Sequence, residues 1–317
     1  MLKGCIIGLG AMGSNHARVF YELQEEAKIE LIGVADIKED RAKETAKKYG
    51  VDWFTDYKML LRRKPDFVIV TVPTELHLEV ALEAIGEGCH VLVEKPIAYT
   101  LEDGRKIVNA AKKKGVQLMV GHIERFNPTI DMIKERIGKE KILLIGAVRI
   151  GPTPTPERTT TGVIADLGVH DIDLIRYITG SEFQRIEAFT SDKESGMEMS
   201  AVLSFEMENG VLAYIITNRI TPLKMRKIEV TTTKRFLEGD LLSQKVTEYS
   251  KGELISYAHR STFVEEINLP FMEPLKLELK AFINSLKKGI QPPITGRDGL
   301  KAMEIAIECI NQSRLMK

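Results

Sequence analysis

The stretch Leu2–Asp36 constrains the fold more than any other part of this chain. An apolar run, Leu2–Ile7, leads into Gly8-Leu9-Gly10-Ala11-Met12-Gly13, and a helix-compatible segment follows from Ser14 to Gln24. A second apolar run, Ile29–Ala35, ends on Asp36, 23 residues past the last glycine. G-x-G-x-x-G alone is weak, since glycine turns are common. Strand before, helix after and acid at the end of the next strand are the context that makes it a dinucleotide fingerprint. Gly8 permits the tight turn, Gly10 lets backbone approach a pyrophosphate, and Gly13 lets helix and strand pack closely. The free N–H groups at the helix start favour an anion. Asp36 can accept both ribose hydroxyls of NAD and would repel the extra phosphate of NADP. It could equally cap the next helix, and Lys38 and Arg41 nearby could accommodate a phosphate. NAD is the expected cofactor, NADP the lesser one.

Strand and helix keep alternating after Asp36. A helix over Glu39–Tyr49, a short strand at Trp53-Phe54, the buried-type strand Phe67–Val72 and a helix over Glu75–Glu87 come first. His90–Val93, a helix over Leu101–Lys114 and Val116–Val120 complete the series. Such alternation predicts a parallel, doubly wound sheet, with ligands outside the carboxyl ends of its strands. Those ends carry the glycine turn, Asp36, Thr71-Val72-Pro73, Glu94-Lys95-Pro96 and Gly121-His122. Beyond a boundary near residue 122 the pattern changes. Ile142–Ile150 reads as a strand, 151–161 as a Pro/Thr-rich loop and 162–178 as a helix. A meander of strands between Ile186 and Tyr249 follows, then helices over Pro274–Lys288 and Arg297–Met316. The expected architecture is therefore two domains. Residues 1–122 form an α/β Rossmann domain, and residues 123–317 an α+β domain with a large open, mostly antiparallel sheet.

Composition narrows the function classes. With 317 residues the chain can bury two cores, and its formal net charge of +0 gives no basic field for nucleic acid or an anionic membrane. Cys5, Cys89 and Cys309 are widely spaced, with neither a disulfide framework nor metal-ligand spacing, which fits a reducing compartment. No apolar run reaches the length of a membrane span. A cytoplasmic location is expected, with neither nucleic acid nor membrane as partner.

Two places carry candidate chemistry. If 162–178 is one regular helix, Asp166, His170, Asp173 and Tyr177 share a stripe. A histidine flanked by carboxylates can serve as a general base near neutral pH. The same residues could be half of a metal site, although no second His or Cys lies at ligand spacing, or simply a polar helix face. Lys95 follows a buried strand and precedes Pro96, which favours extended backbone and projects it from the strand mouth. An ammonium there can polarise a carbonyl or stabilise an alkoxide.

The glycine turn, Glu94-Lys95-Pro96, Arg125-Phe126-Asn127-Pro128 and Asp166-x-x-x-His170-x-x-Asp173, in this order, resemble the Gfo/Idh/MocA oxidoreductase family across essentially the whole chain. The resemblance implies reversible hydride transfer between a carbinol of a sugar or cyclitol and NAD(P), and a homodimer or homotetramer formed through the open sheet. It implies that Lys95, His170 and Asp166 are catalytic. It implies a cofactor set of Gly8, Leu9, Gly10, Ala11, Met12, Gly13, Asp36, Thr71, Pro73, His77, Glu94 and Lys95. Lys95, Arg125, Asn127, Arg158, Asp166 and His170 are the implied substrate set, with no metal. Asn127 stands where several members have an aspartate, and a single glycine, Gly162, precedes the Asp–His segment where the family often has two. Residues 121–128 and 161–166 are similar to the branch that oxidises the 3-hydroxyl of UDP-N-acetylglucosamine, for which Arg125, Arg149 and Arg158 could supply cations for a diphosphate. Free sugars or myo-inositol are the alternative substrates. A cofactor-binding regulator and an NAD-dependent glycosidase are the alternative classes.

Overall fold

In the computed structural model, which describes residues 1–152, 161–194, 197–256 and 259–315, the expected alternation becomes a six-stranded parallel sheet. Its strands are β1 (Leu2–Ile7), β2 (Ile29–Ala35), β3 (Asp52–Phe54), β4 (Phe67–Val70), β5 (His90–Glu94) and β6 (Leu118–Gly121). They lie in the order β3-β2-β1-β4-β5-β6. The order reverses direction between β1 and β4, which is where such a sheet opens a ligand crevice. All four residues of β4 are buried, as a central strand covered on both faces requires. The connecting helices are α1 (Ala11–Ala27), α2 (Glu39–Tyr49), α3 (Tyr57–Leu61), α4 (His77–Gly86) and α5 (Leu101–Lys114). Local chemistry sets their ends. Thr100 caps α5 by accepting from Asp103 N at 3.1 Å, acids occupy its first turn, three lysines its last, and Gly115 ends it in the left-handed conformation.

The second sheet has eight strands: β7 (Ile142–Ile150), β8 (Phe183–Glu194), β9 (Met197–Met207), β10 (Leu212–Asn218), β11 (Met225–Thr232), β12 (Arg235–Asp240), β13 (Lys245–Ser256) and β14 (His259–Asn268). Their order is β14-β13-β12-β11-β7-β10-β9-β8, antiparallel throughout except for the β7/β10 pair. The helices α6 (Pro128–Ile137) and α7 (Val169–Thr179) contribute Ile130, Ile133, Ile172 and Ile175 to a core that also holds Ile145, Leu203, Ile215 and Val230 of the sheet. The three cysteines are free and buried, and among the described residues no helix is long and apolar enough to cross a membrane.

Two compact units result, and their segments are not the two continuous halves expected from the change of pattern at residue 122. One unit is Met1–Ile123 with Leu275–Lys301, the other Glu124–Pro274 with Ala302–Lys317. The reason is packing on the first sheet by helix α8 (Pro274–Lys288). Its Phe282 meets Phe67 edge-on at 5.9 Å, and Phe67 stacks on Phe20 at 5.5 Å. All three rings are fully buried, and each such burial stabilises by about 1.5–3 kcal/mol. An antiparallel bridge between Met119 and Thr295 ties the following segment to β6. The last helix, α9 (Gly296–Leu315), begins in this unit and ends in the other.

Candidate active site

The glycine turn has the geometry its spacing requires. Gly8 sits at φ 94°, and a Cβ there would lie 2.6 Å from Val72 N. A Cβ on Gly13 would lie 1.9 Å from Gly8 O. On Gly10 it would meet no protein atom within 4 Å, so that side of the turn stays open to a ligand. Gly10 is also the N-cap of α1 and offers no side-chain acceptor, leaving first-turn N–H groups for an anion. Gly13→Ala must displace backbone on one side or the other. It is expected to weaken NADH binding at least tenfold and to lower stability by about 1–3 kcal/mol, readable by fluorescence titration and thermal melting.

Asp36 is 8% exposed, and backbone holds its carboxylate in place. Leu9 N donates to Oδ2 at 2.6 Å and Lys38 N to Oδ1 at 2.8 Å. Thr71 Oγ1 donates to Gly8 O at 2.5 Å, tying β4 to the turn. Around these lies a cleft of about 850 Å³ lined by Gly8, Gly10, Ala11, Met12, Asp36, Thr71 and Pro73 of the expected cofactor set. Val72, Leu76, Lys38 and Arg41 line it too. Open backbone donors at one end and an oriented carboxylate at the other fit a dinucleotide.

Three expected cofactor residues have structural duties instead. Leu9 is buried and is represented at the site only through its N–H to Asp36. His77 is 1% exposed, with Nδ1 2.9 Å from Pro96 O and Nε2 3.0 Å from Val72 O, so it braces two strand-end loops rather than facing the cleft. Burial holds its pKa below the ordinary histidine value, against the pull of those carbonyls. Glu94 Oε1 meets His16 Nε2 at 2.9 Å, and its Oε2 accepts from Lys95 N at 3.2 Å. Burial would raise the Glu94 carboxyl, but His16 and Lys95 outweigh it and hold it low. Glu94 thus anchors the lysine turn to α1. The Lys95-Pro96 peptide is cis.

In the second unit the Asp–His segment is not one regular helix. Ile164–Gly168 forms a π-helical turn ahead of α7. The extra residue per turn puts Asp166 out of phase with the stripe expected for His170, Asp173 and Tyr177, and π-turns recur at functional sites. Asp166 accepts from Arg219 Nη2 at 3.2 Å. Arg219 is 2% exposed and donates through Nη1 to Thr161 O at 2.9 Å, which pins the segment at both points. His170 is half-buried at the start of α7.

The neighbouring acids belong to a buried ionic frame. Arg125 forks onto Asp173 at 2.7 and 2.6 Å. Arg149 forks onto Asp171 at 2.8 Å through two nitrogens and reaches Glu124 at 2.8 Å. Arg226 adds a contact to Glu124 at 3.1 Å. Burial would raise the Glu124 carboxyl, yet Arg149 and Arg226 keep it below its ordinary value. Breaking one such buried pair costs about 3–5 kcal/mol. These contacts correct the expected substrate set. Arg125 and Arg149 are spent inside the fold. Asn127 is 2% exposed, caps α6 through Thr129 N at 3.1 Å and donates to Leu241 O at 2.9 Å. Arg158 lies outside the described residues. Lys95 falls in the first unit, and Asp166 and His170 in the second.

Residues 2–122 match the description "Oxidoreductase family, NAD-binding Rossmann fold", and residues 147–238 match "GFO/IDH/MocA C-terminal domain". The chain belongs to the Gfo/Idh/MocA oxidoreductase family. It is an NAD(P)-dependent oxidoreductase whose first domain is an NAD-binding Rossmann fold. It is similar to a myo-inositol 2-dehydrogenase of Thermotoga maritima, 28% identical over 94% of this chain and 92% of that one. It is similar also to a UDP-N-acetylglucosamine 3-dehydrogenase of Acidithiobacillus ferrooxidans, 27% identical over 89% of this chain and 87% of that one. A solved structure under that name from the same organism superposes with a TM-score of 0.91 at 24% identity, covering 99% and 98% of the two chains. That superposition speaks for a shared fold.

Proposed function

We propose that this member of the Gfo/Idh/MocA family oxidises a secondary hydroxyl of a sugar with NAD, the first unit holding the cofactor and the second the substrate. The observation that carries the cofactor half is the cleft at the glycine turn, with open N–H donors at the start of α1 and the Asp36 carboxylate held by two backbone N–H groups. Gly8, Gly10, Ala11 and Met12 would hold the phosphates, and Asp36 the ribose. When bound, NAD supplies the hydride acceptor. His170 takes the hydroxyl proton, and Lys95 neutralises the charge that develops on the oxygen. Asp166, itself fixed by Arg219, orients the pair.

For the substrate we favour the 3-hydroxyl of UDP-N-acetylglucosamine or a related nucleotide sugar, supported by the similarity to the dehydrogenase named for it. The alternative is a free sugar or myo-inositol. It gains from the internal pairing of Arg125 and Arg149, two of the three cations that a diphosphate would have used. A homodimer or homotetramer would cover an apolar row on the second sheet, where Phe189, Val202 and Ile216 stand exposed on paired strands, with Leu212 and Leu144 beside them. The three free, buried cysteines are in keeping with a cytoplasmic site of action.

One absorbance scan tests the reading. NAD or NADP is mixed with the protein and a panel of UDP-N-acetylglucosamine, myo-inositol, free hexoses and glycosides. The expected result is NADH formation with the nucleotide sugar, with NAD preferred over NADP because Asp36 repels a 2′-phosphate. Turnover of inositol alone selects the alternative. Glycoside cleavage without NADH points to a glycosidase, and binding without turnover to a regulator. Equal use of NADP would remove the role given to Asp36.

A further inference from the structure

Glu278 is the anomaly of the first unit. It lies on the apolar face of α8 between Leu275 and Phe282, where the helical repeat calls for a hydrophobic residue. It is fully buried, and neither carboxylate oxygen has a hydrogen-bond partner among the described residues. The titratable groups facing it are Glu94 at the end of β5 and His16 on α1, and an imidazole or carboxylate atom of each of the three lies within 4.8 Å of the others. The lysines of its own helix are engaged elsewhere, Lys276 with Glu22 and Lys280 with Glu26.

A lone carboxylate in such a place would cost several kcal/mol, and a second one beside it more. The contacts already decide where the single negative charge resides. Glu94 has His16 on one oxygen and the Lys95 N–H on the other, whereas Glu278 has neither. Burial first, and then the Glu94 charge, push the Glu278 carboxyl well above its ordinary value.

We propose that Glu278 is a positioning residue for the Glu94-Lys95-Pro96 turn: a carboxylic acid that keeps its proton at neutral pH and fills the space behind Glu94, so that Glu94 remains the anion joining α1 to Lys95. The loss of that proton would set two buried carboxylates against each other and loosen the lysine turn. A divalent cation shared by His16, Glu94 and Glu278 would balance the same charges, and the experiment separates the two.

The test compares the wild type with Glu278→Gln, a neutral near-isostere, by urea denaturation between pH 5 and pH 8. An unfolded glutamate ionises with a pKa of about 4.3. Below that value both folded and unfolded wild type are neutral at this site, and the stability difference from Glu278→Gln is constant. Above it the unfolded wild type gains by ionising while the folded chain does not. The unfolding equilibrium of wild type should therefore rise relative to Glu278→Gln by about tenfold per pH unit. Parallel curves would mean that Glu278 is ionised in the fold and would overturn the proposal. One equivalent of divalent metal in the purified protein would overturn it too.

A kinetic comparison reads the positioning. It rests on the proposed action of Lys95, as the denaturation series does not. Glu278→Ala should lower kcat at least fivefold with the Kd for NADH unchanged, and Glu278→Gln should restore kcat to within about threefold of wild type. Unchanged kcat in the alanine variant, or a parallel loss of kcat and NADH affinity, would leave Glu278 as packing only.

Discussion

Replacing His170 with asparagine should lower kcat by about 10²–10⁴-fold, the usual worth of a positioned general base, while NADH still binds. The two effects separate because His170 belongs to the second unit and the dinucleotide cleft to the first. The fold should survive, since α7 is held by Ile172, Leu174 and Ile175 in the core and by Asp171 and Asp173 in the ionic frame. His170 is half-buried and takes no part in that core. Steady-state NADH formation, with NADH titration as control, measures it. Near-wild-type turnover would assign the base to another residue.

Lys95→Met should cost about 10²–10³-fold in kcat, the range found when one preorganised donor to a developing oxyanion is removed. Methionine keeps most of the stem, so the cis Lys95-Pro96 peptide and the anchorage of the turn by Glu94 should persist. Arginine should not rescue it, since a planar fork cannot replace a compact ammonium at one oxygen. Should His170 and Lys95 act on one oxygen, the double variant will lose less than the product of the two single losses. Multiplying losses would separate their roles.

The Rossmann sheet was legible because its signals are local: each buried run is followed by a helix pattern, and the glycines admit few alternatives. Other elements left weaker traces. Strand β14 escaped because it edges its sheet and exposes both Phe263 and Val264, so no alternation marks it. The return of α8 to the first sheet was illegible for a different reason. An amphipathic pattern says which face is buried, not what covers it. Arg125, Arg149 and Asn127 were misassigned because residue type reveals charge or polarity and not partner. Asn127 did carry a readable clue, an N-cap residue followed by proline at the first helical position. Arg219 carried one too. It continues the inward register of Ala213, Ile215 and Thr217, where a charged residue demands a buried acceptor.

The Phe20–Phe67–Phe282 contact has a bearing on how the protein is made. Ribosomal synthesis delivers Phe20 and Phe67 early, yet the ring that completes their layer emerges only after the whole second sheet. Until then the nucleotide-binding sheet has a bare apolar side, and the newborn chain is open to wrong pairings or chaperone capture. The intervening unit can reach its own core first. Cofactor affinity should thus arrive late in the life of the nascent chain, although every residue of the glycine turn is present from the start.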